Sequence, residues 1–153
     1  MKKISLLFSF MFLLALSHEV QAQNYSKAIG LRFGYPFSID YKFFASGANA
    51  IELYAGTRYD GFTLGGMYEV HKPFTDVDGL MWYYGAGALV SFYSYYEGDN
   101  ETSFGINGVI GLDYTFPDAP FNLSLDFMPA FMFGGYYDGY ESWGGLSARY
   151  VLN

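Results

Sequence analysis

Residues 104–133 constrain the chain most: they form two long alternating runs joined by the turn Pro117-Asp118-Ala119-Pro120. In the first run Phe104, Ile106, Gly108, Ile110, Leu112, Tyr114 and Phe116 share one parity, and Gly105, Asn107, Val109, Gly111, Asp113 and Thr115 take the other. In the second, Phe121, Leu123, Leu125, Phe127, Phe131 and Phe133 alternate with Asn122, Ser124, Asp126, Met128, Ala130 and Met132. A period of two is the signature of β-strands, here with one face far more apolar than the other.

Such faces can be arranged in two senses. A soluble barrel turns the rings inward to a ligand, whereas a membrane barrel turns them out to lipid. The polar face decides between them. A solvated strand surface carries long side chains, but this one is mostly Gly, Ala, Ser and Asn with single charges. Glycine weakens a strand and has no purpose on a wet face, yet small residues fit where strands crowd a narrow bore. The rings are therefore expected outside.

Composition agrees with interleaving: 52% of residues are hydrophobic and 22% aromatic, yet mean hydropathy is only +0.10. Beyond the N-terminus no apolar run reaches the roughly 18 residues of a membrane helix, so any span must be β. Residues 1–22 read as a signal peptide: Lys2-Lys3, an apolar stretch Ile4 to Leu16, and a small-residue site Val20-Gln21-Ala22, with cleavage before Gln23. Residues 23–153 then form one domain. The chain has no cysteine, which excludes disulfides and lipid attachment at that site. Losing Lys2, Lys3 and Glu19 leaves 6 basic against 14 acidic residues, a net charge of −8, which argues against nucleic acid as a partner.

Eight strands are predicted, at about Lys27–Tyr35, Ser38–Phe44, Ala50–Tyr59, Phe62–His71, Leu80–Tyr93, Phe104–Phe116, Phe121–Phe133 and a last one ending the chain. Asp60-Gly61 is expected as a two-residue hairpin turn. Lys72 to Gly79, Ser94 to Thr102 and Gly134 to Ser142 are expected as connections, and Pro129 as a bulge near a rim. This pattern predicts an all-β fold, an eight-stranded antiparallel up-and-down transmembrane β-barrel.

On that pattern the chain resembles the small eight-stranded outer-membrane barrels of Gram-negative bacteria, the family of the OmpA membrane domain and OmpX. One departure is the ending Tyr150-Val151-Leu152-Asn153, where the family commonly ends on an aromatic. The resemblance implies outer-membrane localisation, a monomer, lipid and lipopolysaccharide as surroundings, and handling by the outer-membrane insertion machinery. It also puts both termini at the periplasmic side. Trp82, Phe116 and Phe121 below, with Phe92, Phe104, Phe133 and Trp143 above, then suit two interfacial girdles.

Alternation sends Arg32, Asp40, Lys42, Glu52, Arg58, Glu69, Asp113, Asp126 and Arg149 inward, where they are expected to form a paired network plugging the bore. His71, the one histidine after signal removal, has no serine near it in sequence, so it is read as a solvated or capping residue and the chain as no enzyme; lipid A-modifying barrels are the enzymatic alternative. Glu97 to Glu101 lacks the spacing of a calcium loop, and no cofactor or metal is expected. The outer loops are rich in tyrosine and acid, and Tyr95, Tyr96, Glu97, Asp99, Tyr136, Tyr137, Tyr140 and Trp143 form a candidate recognition surface. The expected function is envelope structure or surface interaction. A soluble secreted or periplasmic barrel binding an apolar ligand is the alternative.

Overall fold

A computed structural model describes residues 25–58, 61–74, 76–94, 98, 100–135 and 138–152; the signal segment and its cleavage site lie outside them. Eight strands follow one another: β1 (Lys27–Gly34), β2 (Phe37–Ser46), β3 (Asn49–Arg58), β4 (Gly61–Pro73), β5 (Leu80–Ser94), β6 (Asn100–Thr115), β7 (Phe121–Phe133) and β8 (Gly139–Leu152). Each is hydrogen-bonded to its neighbours in sequence, and β8 returns to β1 in one closed barrel. The closing ladder runs from Lys27 opposite Leu152 to Gly34 opposite Gly145, which leaves no unpaired strand edge.

The rings are outside. On β7, Phe121, Leu125 and Phe131 are 52%, 59% and 52% exposed, while Asn122, Ser124, Asp126 and Met128 between them are buried. The same alternation holds on β1, where Ile29, Leu31 and Phe33 are exposed and Ala28 and Arg32 are not. A carrier with its ring face turned into the bore is therefore overturned. Exposed apolar surface of this extent is foreign to water-soluble monomers, whose contiguous patches stay within a few hundred Å².

Small residues on the inner face make room for large ones. A Cβ on Gly145 would lie 2.6 Å from Arg32 Cζ, and one on Gly65 would lie 2.2 Å from Tyr54 Cζ. The guanidinium and the phenol thus lie directly over glycine backbone, which is the close approach that only glycine allows in a strand.

Several boundaries differ from the sequence expectation. Gly61 belongs to β4 and pairs with Arg58, so it is a strand residue and not half of the expected turn; Asp60 lies outside the described residues. β4 runs on to Pro73, and the following connection is correspondingly shorter. The pairing of β5 with β6 continues through Phe92–Thr102 and Tyr93–Glu101 to Ser94–Asn100, so Ser94 and residues 100–102, expected in a connection, belong to strands. Likewise β8 starts at Gly139, and Tyr140 pairs with Phe131. Polar tyrosine-rich composition reads as loop, but cross-strand pairing keeps it in the sheet.

Pro129 makes no bulge. The β6–β7 ladder pairs Asn107 with Ala130, skips two positions, and resumes at Ile110 with Phe127 in unchanged register. In that register Gly108 faces Pro129, and a Cβ there would stand 3.7 Å from Pro129 Cγ, an ordinary contact. The irregularity in the barrel lies instead in β2, between Phe44 and Ser46.

Candidate functional site

The candidate site is the bore. Asp40 and Lys42 are two residues apart on β2 and so share its inner face, and the register sets Lys42 directly opposite Glu52 on β3. Lys42 Nζ lies 2.8 Å from a Glu52 oxygen, 2.8 Å from a Glu69 oxygen and 3.9 Å from an Asp113 oxygen. The same ammonium sits 4.4 Å from the Tyr83 ring centroid. One lysine thereby holds carboxylates of three strands around one aromatic face.

Arg149 of β8 supplies the second node. Its Nε donates to Asp40 at 2.5 Å, its Nη2 to Glu52 at 3.0 Å, and its Nη1 to Ser124 at 2.6 Å and Asn122 at 3.3 Å. Asn122 passes the network on, its Nδ2 donating to Asp113 at 2.6 Å and Thr115 at 3.0 Å. Tyr25, just before β1, donates its hydroxyl to Asp113 at 3.4 Å and packs edge-on against Phe44, closing this end of the bore.

Further along the bore Arg32 is bonded to Asp126, which also accepts the Tyr83 hydroxyl at 3.2 Å. Toward the other end Arg58 is bonded to Glu141, 4.9 Å from the Trp143 ring centroid and 5.6 Å from that of Tyr35. Trp143 Nε1 donates to the same Glu141 at 3.0 Å. An apolar cluster including Tyr54, Met67, Leu89, Met128, Met132 and Trp143 fills the remaining space.

All nine charged residues singled out from the sequence lie inside, none more than 7% exposed. The burial is tolerable because each ion meets an opposite one: removing ions from water costs several kcal/mol apiece, which only close pairing and hydrogen bonds offset. What alternation did not reveal is the aromatic mortar, Tyr25 and Tyr83, the bonds by which the inward-facing Asn122 links the ions, or the part played by Glu141. The signal for Glu141 was present, since it shares the parity of Ser147 and Arg149 on β8.

Two assignments are corrected. Trp143 is 4% exposed inside the bore, so it belongs neither to the outer girdle nor to a surface-recognition set. Its parity on β8 turns it inward, which outweighs its position near a strand end. His71 is not solvated but 1% exposed; its Nε2 lies 2.9 Å from Glu69, and its ring stacks on Tyr83 at 4.8 Å and meets Phe44 at 5.0 Å. Those contacts include no serine, so they do not form the serine–histidine pair of a hydrolase. Of the other recognition candidates, Tyr140 is 60% exposed on β8, while Tyr95, Tyr96, Glu97, Asp99, Tyr136 and Tyr137 lie outside the described residues. Among the described residues no group of three His, Asp or Glu side chains is placed to hold a metal ion.

No family model and no curated protein matches the sequence. Among solved structures, the crystal structure of Neisserial surface protein A (NspA) superimposes with a TM-score of 0.55 at 13% sequence identity, over 82% of this chain and 93% of that one. At this identity the likeness is one of fold. The chain is built as a small, closed, eight-stranded barrel of the outer-membrane type.

Proposed function

We propose that this protein is a monomeric barrel of the bacterial outer membrane, exported by its N-terminal segment, whose role is to span and reinforce the envelope and not to conduct solutes. The observation that carries the reading is the inverted distribution of residues, with large apolar side chains exposed on every strand and nine charged residues, from Arg32 to Arg149, buried in the bore. Water would penalise that exterior, whereas a hydrocarbon layer about 30 Å thick matches it. The strands, 8 to 16 residues long, bracket the roughly 9–11 that a tilted span requires.

Two further observations favour a structural role over solute passage or broad surface recognition. An eight-stranded bore is just wide enough for side chains, and here Arg32, Tyr83, Met128 and their neighbours fill it. The strands continue close to one another at the outer end, β5 ending at Ser94 with β6 starting at Asn100, and β7 ending at Phe133 with β8 starting at Gly139. The relative's name places it at a Neisserial surface, in keeping with the same compartment.

Extraction of the envelope fraction tests the reading. The protein should stay with the membrane through alkaline carbonate and urea, and should run faster on a gel unheated than boiled, because a closed barrel resists detergent until heated. Release into the wash would refute membrane integration.

A further inference from the structure

We propose that the outer wall of the barrel, near the end that carries both chain termini, binds a glycerophospholipid, with an acyl chain in a groove across β7, β8 and β1 and the phosphodiester on Lys27. The proposal rests on reading the barrel as membrane-spanning and adds a defined lipid site to it.

The groove has a cavity volume of about 610 Å³. Two cross-strand rows build it. Leu31, Ala148 and Leu123 stand side by side on β1, β8 and β7, and Ile29, Tyr150 and Phe121 form the next row toward the termini. Ala148 is the reason for the depression: it is the small residue between two leucines, so the wall dips by most of a side chain. Lys27 continues the outward face of β1 one pleat beyond Ile29, opposite Leu152, and is exposed. From Lys27 to Leu31 the strand covers about 13 Å at ~3.3 Å per residue. At a strand tilt of about 40° that is about 10 Å of depth, within one leaflet's share, ~15 Å, of the hydrocarbon core. A tail laid in the groove thus brings its headgroup to the lysine.

Charge placement selects the headgroup. Among the described residues Arg32, Lys42, Arg58 and Arg149 are buried in the bore, which leaves Lys27 and Lys72 as the basic residues on outward faces. Both lie at the end that carries the termini. Lys72 repeats the arrangement, because it pairs with Trp82, which lines a second apolar groove of about 580 Å³ together with Leu112 and Leu125. A cation at the terminus-proximal end of an apolar groove matches an acyl chain ending in a phosphate. Neither Lys27 nor Asp118 lines the groove itself: Lys27 lies one pleat beyond Ile29 on its β1 side, and Asp118 precedes Ala119 on its β6–β7 side.

The test uses the whole mature barrel in nanodiscs holding equal parts of dioleoyl phosphatidylglycerol and dioleoylglycerol, which have the same chains with and without the phosphate. Lipid retained on the released protein is counted by native mass spectrometry. Wild type should keep phosphatidylglycerol in preference to dioleoylglycerol. Lys27→Gln should cut that preference about fivefold, the effect of one lysine near an anionic surface, and Lys27→Arg should keep it. Ala148→Trp, which fills the notch with Lys27 intact, should lose the retained lipid. Equal retention by wild type and Lys27→Gln overturns the proposal, as does retention of dioleoylglycerol as strong as that of phosphatidylglycerol. Heat-modifiable migration of each protein separates the two readings. A folded, bilayer-held wild type without lipid preference removes this site alone, whereas a wild type that leaves the bilayer removes the membrane reading with it.

Discussion

Replacing Arg149 with methionine should lower the free energy of unfolding by about 3–5 kcal/mol, the usual consequence of removing one partner from a buried ion pair. Methionine can fill much of the space, so the loss comes from the groups left behind. Glu52 keeps Lys42 at 2.8 Å, but Asp40 loses the 2.5 Å bond to Arg149, and Ser124 and Asn122 each lose a charged donor. Pairing the change with Asp40→Asn should recover part of the loss, because a neutral amide no longer has to be held as an unpaired ion. Urea unfolding of the barrel in lipid vesicles measures both variants. Conductance across a planar bilayer should stay at background, since Arg32, Tyr83 and the apolar cluster above them still block the bore. An unchanged urea midpoint would show that the network contributes nothing, and ion current would show that the bore is not filled.

The second large effect concerns the outer wall. Ile110 is 52% exposed near the middle of the β6–β7 pair, opposite Phe127. On a water-soluble protein, arginine at so exposed a position would change stability by no more than about 0.5 kcal/mol. Facing the bilayer midplane it should cost about 2–4 kcal/mol, and the same substitution at Phe121, near the turn end of β7, should cost about 0–1 kcal/mol, because the penalty fades toward the interface. The gradient with depth is the diagnostic quantity. Equal, small effects at both positions would mean that water bathes this wall.

Much of this architecture is legible in the sequence, because alternation couples side-chain chemistry to position on a strand. Ile29, Leu31 and Phe33 against Ala28 and Arg32 suffice to assign two sides, and Pro117 to Pro120 suffices to end a strand. Composition misleads at the outer hairpins. Tyrosine, glycine and acid suggest loops, but Ser94 opposite Asn100 and Tyr140 opposite Phe131 continue the ladders. Trp143 departs from expectation for a related reason: an aromatic near a strand end suits a girdle, yet its parity with Ser147 and Arg149 turns it inward. Pro129 shows a third limit, since proline can stand in this sheet without a bulge, the β6–β7 ladder resuming beyond it in unchanged register.

The network was legible only in part. Alternation sends the charged residues to the bore but does not say which of them meet. Arg32 and Asp126 are 94 residues apart and Arg149 and Asp40 are 109 apart, so their encounters depend on how the closed sheet staggers its strands. Lys42 with Glu52 is the exception, because a single short turn fixes the register of β2 against β3. The histidine illustrates the same dependence. Its neighbours Glu69 and Tyr83 come from β4 and β5, but its burial is completed by Phe44 on β2, which only the closed barrel brings alongside.

The two tryptophans of the chain give the most direct test of which side is which. Trp82 lines an outer groove beside Ile110 and Leu112, and Trp143 lies in the bore against Arg58. In vesicles of lipids brominated along the acyl chain, the Trp143→Phe protein, left with Trp82, should lose most of its emission, whereas Trp82→Phe, left with Trp143, should keep it. Emission from Trp82 that resists brominated lipid but yields to a water-borne quencher such as iodide would contradict the assignment of the outer wall to lipid.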